Sequence, residues 1–426
     1  MTRDFLKRGL EALDEAPKAW LAGTHRAVAP EATLERFLPL ASRMGITRLS
    51  DVTGLDTLGL PVWMACRPNS RSLAVSQGKG LTHAAAKASA FMESAETWHA
   101  ESVALPMRYL SRRDLAAQAE VVEIDGLPHS TQRPFHPDRP ILWVEGRELL
   151  EGAPVWLPLE LVGADFTDPP PPGSGCFAAT TNGLASGNSL TEAIAHGLYE
   201  VIERDALTLW RLKGGPALAA TRIDPASLTG EAVTTVMERF ERARMDVGIW
   251  DVTSDIGVPA FQCVIAGRDA GLGDGELFDA ELGSGCHPDP EVALLRALTE
   301  AAQARTTFIA GSRDDFDPDV WKPDARSSRR QSARAWLDSE GEPHPARDFR
   351  SLASHAGPTV RGDLAWTAER VAAAGIGPVL YADLTRPDLG LPVARVVVPG
   401  LEGAFRGSEG DFVPGRRARA ITGANR

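Results

Sequence analysis

Residues 184–213 predict one long helix whose only polar stripe is acidic. At ~100° per residue, Glu192, Glu200 and Glu203 fall within an arc of about 80°, with Arg204 at its edge. The other faces carry apolar side chains, so we expect most of this helix to be buried. Two carboxylates about 6 Å apart repel each other by about 3 kcal/mol at an effective dielectric constant of about 20. A buried stripe of this kind therefore needs a counter-charge.

Two further segments repeat this design. In the first, Ser89, Glu93 and Glu96 stand at positions i, i+4 and i+7, so they share one face of a predicted helix. In the second, Arg296 and Glu300 are four residues apart in a segment rich in alanine and leucine. Each predicted helix is largely apolar and carries one acidic or amide stripe.

Packing the three predicted helices together would collect six carboxylates in one pocket. These are Glu93, Glu96, Glu192, Glu200, Glu203 and Glu300. Carboxylate oxygens are ligands that suit Mg²⁺, which usually bridges such acids to the phosphates of a nucleotide. Two alternatives stay open at this point. The acids could form a solvated face with Arg204 as counter-ion, and Ser189 with Glu192 could form a capping box.

The same spacings resemble the nucleotide-binding pattern of the YcaO family. The matching positions are Ser89, Glu93 and Glu96, then Asn188, Glu192, Glu200, Glu203 and Arg204, then Arg296 and Glu300. Three longer phrases are also similar to the family: GITRLSDVTGLDTLGLPVW at 45–63, RPNSRSLAVSQGKG at 67–80 and GSGCHPDPEVALLRALTEAAQAR at 283–305. The resemblance implies an α/β (α+β) fold in which sheets and packed helices place a nucleotide site where the three acidic-striped helices meet.

The resemblance also implies ATP and Mg²⁺ as cofactors and gives individual residues a role. The implied metal ligands are Glu93, Glu96, Glu192, Glu200, Glu203 and Glu300. The implied nucleotide-binding residues are these glutamates with Ser89, Asn188, Arg204 and Arg296. Arg26 and Thr33 are added because the family has a basic residue and a hydroxyl at this spacing near the phosphates, although lysine is usual where Arg26 stands. We expect Glu203, Arg204 and Glu300 to be catalytic.

The chemistry implied is ATP-dependent activation of a backbone amide in a peptide or protein. A nucleophile adds to the carbonyl, the amide oxygen takes the γ-phosphoryl group, and phosphate then leaves with that oxygen. A neighbouring Cys, Ser or Thr side chain gives an azoline, whereas a sulfide donor gives a thioamide. The chain is too short for the fused peptide-binding domain of the large cyclodehydratases, and its end, GANR, lacks their PxPxP terminus.

The ending VARVVVPGLEG instead resembles stand-alone members that act with a TfuA-type partner and install thioamides. We therefore expect thioamidation, with azoline formation as the alternative. A non-catalytic nucleotide-binding scaffold is a further hypothesis, against which the presence of all six glutamates argues.

Composition narrows the class of protein. The net charge of −12 and the pI near 5.3 argue against a nucleic-acid binder. The sequence has no signal peptide and no apolar run of about 20 residues, so we expect a cytoplasmic protein without a membrane span. A homodimer is left open.

Four scattered cysteines indicate neither a disulfide framework nor a zinc site. Cys286, in the glycine-rich loop beside His287, is the one thiol to test for reactivity, with a buried core cysteine as the alternative. His196 lies within the acidic arc of the central helix. We expect it to support or pack against the site rather than to act as a base.

The chain is expected to form three regions. Residues 1–23 predict a helical extension, residues 24–403 a catalytic domain, and residues 404–426 a basic, mobile tail. Within the domain, the polar segment 314–350 predicts a surface insert that is partly helical. Residues 76–80, SQGKG, predict a loop that opens the first acidic helix.

Overall fold

The computed structural model describes residues 8–268, 280–338, 346–403 and 413–423. The strands are β1 (Arg48–Asp51), β2 (Val62–Cys66), β3 (Val75–Lys79), β4 (Met107–Leu110), β5 (Ile141–Glu148), β6 (Pro154–Pro158), β7 (Leu184–Ser186), β8 (Met245–Asp251), β9 (Ala260–Gly267), β10 (Ala280–Cys286), β11 (Leu380–Asp383) and β12 (Val393–Val397). The α-helices are α1 (Arg8–Glu11), α2 (Pro30–Phe37), α3 (His83–Glu101), α4 (Arg112–Ala116), α5 (Leu159–Val162), α6 (Leu190–Lys213), α7 (Gly215–Thr221), α8 (Glu231–Arg242), α9 (Pro290–Ala310), α10 (Pro323–Leu337), α11 (Val360–Ala373) and α12 (Arg416–Thr422).

The strands in the described ranges form three antiparallel sheets. The first has the order β1-β2-β3 and the second the order β10-β9-β8. The third has the order β4-β5-β11-β12-β7, with β6 paired to β5. Every pair of neighbouring strands in these three sheets is antiparallel, which is typical of α+β architecture.

Each of the three acidic helices covers a different sheet. Helix α3 packs on β2 and β3, α9 packs on β9 and β10, and α6 packs on β7 and β12. The helices also reach across to a second sheet, because α6 contacts β10, α9 contacts β3 and α3 contacts β7. The three sheets therefore surround the point where the polar stripes of the helices converge.

Side-chain caps define where these helices begin. The Thr82 hydroxyl accepts a hydrogen bond from the N–H of Ala85 at the start of α3, and Ser189 accepts one from Glu192 at the start of α6. At the start of α9, Asp289 accepts from two backbone N–H groups of the first turn. These caps satisfy donors that a helix leaves unpaired at its N-terminus, so the register of each stripe is set locally.

Two glycines allow the helices to lie directly on their strands. A Cβ atom at Gly78 on β3 would lie 2.0 Å from the backbone nitrogen of Ala90 on α3. A Cβ atom at Gly283 on β10 would lie 2.2 Å from the backbone oxygen of Ala297 on α9. Because backbone atoms cannot be moved aside like the end of a flexible side chain, any larger residue would push the helix away from its sheet.

We expect Gly283→Ala to lower the free energy of unfolding by about 2 kcal/mol, since overpacking of a close contact usually costs about 1–3 kcal/mol. Urea denaturation followed by circular dichroism measures this loss. Gly54→Ala is the matched control, because no atom lies within 4 Å of the Cβ position at Gly54. Equal denaturation midpoints for the two variants would contradict the close approach of α9 to β10.

Residues 76–80 differ from the loop that the sequence predicted. Residues Val75–Lys79 are strand β3, and the helix begins only at His83. The pairing of Val62 with Lys79 and of Trp63 with Gly78 joins this strand to β2. The glycine therefore marks a close approach between strand and helix and not a turn.

The N-terminal region is less helical than expected. Residues 1–7 lie outside the described residues, and helix α1 covers only Arg8–Glu11. The chain then continues in extended form, with an isolated bridge between Pro17 and Thr359. Leu10 and Leu13 are buried in the same core cluster as α6. This segment is thus part of the domain packing, because its apolar side chains are buried against the domain.

Two other segments also pack more closely than predicted. In the predicted insert, of which residues 339–345 lie outside the described ranges, α10 packs on the β8-β9-β10 sheet and buries Ala333 and Leu337. In the predicted mobile tail, residues 404–412 and 424–426 lie outside them, but α12 packs on α6. Arg417 there forms ion pairs with Asp205 and Asp255, which explains the ordered position of this helix.

Within the described residues, no helix has both the length and the apolar character needed to cross a membrane.

Candidate functional site

The polar stripes of α3, α6 and α9 meet in one cavity of about 1920 Å³. Of the predicted site residues, those that line it are Arg26, Thr33, Ser89, Glu93, Glu96, Asn188, Glu200, Glu203, Arg204, Arg296 and Glu300. Typical small-molecule sites measure about 300–1,000 Å³, so this cavity has room for more than one small ligand.

The carboxylates of α3 are fixed by the strands beside them. Glu96 Oε1 accepts hydrogen bonds from the N–H of Ser186 at 2.8 Å and from its hydroxyl at 2.7 Å. Glu93 accepts a long one, 3.5 Å, from the N–H of Gln77. Burial raises the pKa of Glu96 to about 8, against the opposing hydrogen bonds from Ser186. Burial also raises the pKa of Glu93 to about 7, with Lys79 acting in the opposite direction.

The carboxylates of α6 and α9 are joined by one hydroxyl. Ser284 Oγ on β10 lies 2.7 Å from Glu203 Oε1 and 3.2 Å from Glu300 Oε1. A serine hydroxyl has one proton, so it can donate to only one of the two carboxylates at a time. Glu203 is 2 % exposed, and Arg204 Nη1 lies 3.6 Å from its Oε1. The pair of acids thus shares a single donor and a neighbouring guanidinium.

Three positively charged side chains, Lys79, Arg204 and Arg296, lie near Glu300. Lys79 Nζ, at the end of β3, lies 3.3 Å from Glu300 Oε2 and 2.9 Å from Gln303 Oε1. Burial alone would raise the pKa of Glu300, but the charges of Lys79, Arg204 and Arg296 outweigh it and hold this pKa below its ordinary value. Burial raises the pKa of Glu200, with Arg204 opposing. The cavity therefore holds carboxyl groups whose pKa values are shifted in opposite directions.

Glu192 is the predicted ligand that the structure places elsewhere. It does not line the cavity; its Oε1 accepts from the N–H of Ala27 at 2.6 Å, and its Oε2 accepts from the N–H of Asn188 at 2.7 Å. Asn188 Oδ1 in turn accepts from the Thr33 hydroxyl at 3.0 Å. Both oxygens of Glu192 are thus used to hold the segments that carry Arg26 and Asn188. The Ser189 half of the alternative capping box is formed, since Ser189 accepts from the N–H of Glu192, but the Glu192 carboxylate binds the N–H groups of Ala27 and Asn188 and not that of Ser189.

The donor set fits Mg²⁺ with a triphosphate. The acids in the cavity offer only oxygen ligands, and burial raises the pKa of two of them, Glu93 and Glu96, a cost that a bound cation would offset. In the same cavity, Arg296 lies one helical turn before Glu300 and has a buried Nε that finds no hydrogen-bond partner among the described residues. A divalent cation would be held by Glu93, Glu96, Glu200, Glu203 and Glu300, and phosphate oxygens by the guanidinium groups.

Ser284 was not identified from the sequence, whereas Lys79 was interpreted as a cation that could contact phosphate or substrate. Ser284 lies on a strand, and nothing in its neighbourhood in the sequence places it between two helices. Lys79 follows a glycine in SQGKG, which the sequence favoured as a loop. The glycine-rich phrase GSGCH was a signal that β10 runs close to other backbone, and it could have pointed to Ser284.

A second cluster of metal-type side chains is already filled by a lysine. His25, His287 and Asp363 have their ligand atoms within 4.8 Å of one another. Lys18 Nζ lies 2.5 Å from Asp363 Oδ2, 3.2 Å from His25 Nδ1 and 2.7 Å from the carbonyl oxygen of Gly357. These three contacts use the three donors of the ammonium group, so the cluster has its cation built in.

Cys286 is a buried core cysteine and not a reactive thiol. It is 0 % exposed, and burial, with the charge of Glu203, raises its pKa well above the ordinary value. The thiolate is the reactive form of cysteine, so we expect no labelling of Cys286 by iodoacetamide in the folded protein. The partly exposed Cys66 is the internal control and should be labelled first. Peptide mass mapping measures both; labelling of Cys286 before Cys66 would contradict its burial.

The raised pKa values of Glu93 and Glu96 predict a pH-dependent stability. Both values lie above the ordinary 4.5, so at these two carboxyl groups the folded protein binds more protons than the unfolded chain between about pH 4.5 and about pH 8. The contribution of these two groups to the free energy of unfolding should therefore fall as pH rises through this window. Urea midpoints measured across the window test this. Glu96→Gln should flatten the slope, and an unchanged slope in that variant would contradict the assignment.

Metal binding should show the opposite trend, because carboxyl groups must lose their protons before they bind a cation. We expect the affinity for Mg²⁺ with ATP to rise over the same pH window and binding to release protons. Calorimetry in buffers of different ionisation enthalpy measures the released protons.

The sequence profile described as YcaO cyclodehydratase, ATP- and Mg²⁺-binding, matches residues 77–402. An uncharacterised protein in the tfuA 3′ region of Rhizobium leguminosarum bv. trifolii is 40% identical over 380 residues, or 88% of this chain and 88% of that protein. An uncharacterised protein of Methanothermobacter thermautotrophicus is 37% identical over 386 residues, or 88% of this chain and 95% of that protein.

Solved structures share the fold. A heterocyclase in complex with substrate and cofactor has a TM-score of 0.74 at 24% identity and covers 92% of this chain, which spans 54% of that heterocyclase. YcaO from Methanopyrus kandleri, bound with AMPPCP and Mg²⁺, has a TM-score of 0.71 at 24% identity and covers 92% of this chain and 99% of its own. These findings confirm the predicted fold class and, for the family, the predicted cofactors ATP and Mg²⁺.

Proposed function

This chain belongs to the YcaO family of ATP-dependent enzymes, and we propose that it installs thioamides in a peptide or protein together with a TfuA-type partner. The observation that carries the proposal is the cavity in which five glutamates of three helices face Arg204, Arg296 and Lys79. The relative named from the tfuA region, 40% identical, supports the choice of thioamidation within the family. We propose residues 24–403 as the catalytic domain.

The proposed reaction exchanges the oxygen of a backbone amide for sulfur. Hydrosulfide adds to the carbonyl carbon, and the resulting oxyanion takes the γ-phosphoryl group of ATP while ADP leaves. Collapse of the adduct then breaks the C–O bond, releases phosphate with that oxygen and the proton of the S–H group, and leaves C=S. When bound, Mg²⁺ supplies charge neutralisation and orientation of the triphosphate. Positioning and electrostatic stabilisation are the main contributions of a protein to phosphoryl transfer, so this site requires no nucleophilic side chain.

Each residue has a proposed part in that reaction. Glu203 and Glu300, which share the Ser284 hydroxyl, hold the cation beside the reacting phosphate. Arg204, beside Glu203, stabilises the charge that develops on the transferring group. We also keep Arg26, Thr33, Ser89 and Asn188, all of which line the cavity, as nucleotide-binding residues.

Glu192 keeps a supporting part in this proposal. Its carboxylate accepts hydrogen bonds from the N–H groups of Ala27 and Asn188 and so holds the two segments that carry Arg26 and Asn188. Loss of Glu192 would therefore displace both of these proposed nucleotide-binding residues together.

Mass spectrometry tests the proposal. The purified protein, a TfuA-type protein, ATP, Mg²⁺ and sulfide are incubated with candidate peptides whose backbone carbonyls carry a heavy-oxygen label. We expect a peptide mass that fits exchange of oxygen for sulfur and recovery of the label in the released phosphate. Omission of sulfide is the control and should stop the exchange.

Azoline formation is the second candidate, because the solved heterocyclase shares this fold and the family profile describes cyclodehydratases. Its product would have lost water, would form without sulfide, and would appear only in peptides with Cys, Ser or Thr after the reacting amide. Labelled phosphate together with loss of water would therefore replace thioamidation by cyclodehydration and keep the amide-activation chemistry.

A further inference from the structure

His196 and Arg296 form a contact between α6 and α9 at the edge of the cavity. Nε2 of the imidazole lies 2.8 Å from Nη1 of the guanidinium. An arginine side chain has donors only, so the imidazole nitrogen must accept this hydrogen bond and the ring must be neutral. Burial and the charge of Arg296 lower the pKa of His196 well below its ordinary value, which agrees with a neutral ring.

This hydrogen bond leaves the rest of the guanidinium available. Within the described ranges, no carboxylate lies within ion-pair distance of Arg296, and its buried Nε has no hydrogen-bond partner. Two other cations of the cavity differ, because Arg204 pairs with Glu203 and Lys79 with Glu300. A guanidinium without a carboxylate partner keeps its charge and its remaining N–H donors for an anionic ligand such as a phosphate.

The contact also excludes one role for His196. A general base needs a free lone pair on the nitrogen that takes the proton, and the lone pair of Nε2 is directed at Arg296. The ring can therefore orient its neighbour, and orientation is what a long arginine side chain needs before it can bind a phosphate in a fixed geometry.

We infer that His196 is a positioning residue for ATP: by accepting the Nη1–H of Arg296 it orients that guanidinium, which has no carboxylate partner, for contact with the triphosphate. The inference rests on the proposed function and adds to it a residue that does not touch the nucleotide. Closely spaced glycines on β10 support the geometry, since a Cβ atom at Gly285 would lie 2.7 Å from the Cβ atom of Arg296. The strand thus fixes the Cβ end of the Arg296 side chain, and His196 fixes its guanidinium group.

A double-mutant cycle on ATP affinity tests the inference. Calorimetry measures the binding of ATP with Mg²⁺ to the wild-type protein, His196→Ala, Arg296→Met and the double variant. Loss of the orienting hydrogen bond should weaken ATP binding about 10-fold, and loss of the guanidinium about 100-fold. The double variant should be no weaker than Arg296→Met, because His196 acts only through Arg296.

Two further measurements separate orientation from folding. Glutamine carries an oxygen close to the position of Nε2, so His196→Gln should bind ATP within about 3-fold of the wild type. Adenosine, which has no phosphates, should bind equally well to all variants. If His196→Ala does not fold, His196→Leu replaces it in the cycle, because leucine fills the buried space without an acceptor for Arg296, and the same non-additive loss is expected.

The outcomes distinguish this inference from the proposed function. No ATP binding by the wild type would overturn the proposed function itself. Wild-type binding that Arg296→Met weakens and His196→Ala leaves unchanged would overturn only the positioning role. Additive losses in the double variant, or an equal loss for adenosine, would also overturn it.

Discussion

Replacement of Glu203 by glutamine should abolish most of the Mg²⁺-dependent binding of ATP. Glu203 is almost fully buried, accepts the Ser284 hydroxyl and faces Arg204. Glutamine keeps the shape and the acceptor for Ser284 and removes only the charge. Loss of one member of a buried charge pair usually costs about 2–5 kcal/mol, so we expect the affinity to fall by about 100-fold or more in calorimetric titrations.

The control for this variant is Glu231→Gln, which neutralises an exposed glutamate at the start of α8. It should bind ATP like the wild-type protein. Titrations in EDTA show how much of the wild-type affinity depends on the metal. Equal affinities of Glu203→Gln and wild type in the presence of Mg²⁺ would mean that the α6 stripe does not hold the cation.

Replacement of Arg204 by methionine should reduce the turnover of ATP about 1,000-fold, because loss of a group that stabilises a transferring phosphoryl commonly costs about 10²–10³-fold or more. Burial of Arg204 disfavours its charge, but Glu203, Glu300 and Glu200 raise its pKa, so the guanidinium stays charged. Methionine fills the space without the charge. Phosphate release in the presence of peptide substrate measures the rate.

Arg204→Met has a second expected consequence. The guanidinium lowers the pKa of Glu300, so its removal should shift the pH optimum of ATP turnover upward as well as lower the rate. Arg48→Met, at an exposed position on β1, is the control and should change neither quantity. A rate within 3-fold of wild type, about 0.7 kcal/mol in activation free energy, would rule out a role for Arg204 in the chemical step.

The stripes were predictable because helical periodicity is a local property. Spacings of three, four and seven residues place Glu93 and Glu96, or Glu200 and Glu203, on one face whatever the rest of the fold does. The convergence of the stripes followed from the cost of burying acids without a counter-charge. These two arguments account for the lining of the cavity by the α3, α6 and α9 acids.

The parts of the site on strands were not predictable in this way. Ser284 meets Glu203 and Glu300 because β10 passes between two helices, and this arrangement depends on the packing of the β8-β9-β10 sheet against α9. Periodicity also assigned Glu192 to the stripe of α6. Its position one turn from the helix start lets it bind nearby backbone N–H groups, and this local capping outweighs its place on the stripe.

The packing of the two terminal segments was likewise not predictable from local sequence patterns. The composition of the terminal segments favoured an extension and a mobile tail, yet α12 is held by ion pairs from Arg417 to Asp205 and Asp255. Such contacts join residues that are far apart in the sequence, so no local pattern indicates them. Asp205 is fully buried, and a buried aspartate requires a cationic or hydrogen-bonding partner such as Arg417.

The central claim is that three acidic helices form one site for Mg²⁺ and ATP, and a crystal structure with a non-hydrolysable ATP analogue and Mn²⁺ tests it most directly. Mn²⁺ replaces Mg²⁺ and is located by its anomalous scattering. The account predicts manganese peaks among Glu93, Glu96, Glu200, Glu203 and Glu300, with the triphosphate contacting Arg204 and Arg296. Manganese or nucleotide bound outside this cavity, with the five carboxylates left without a metal, would contradict it.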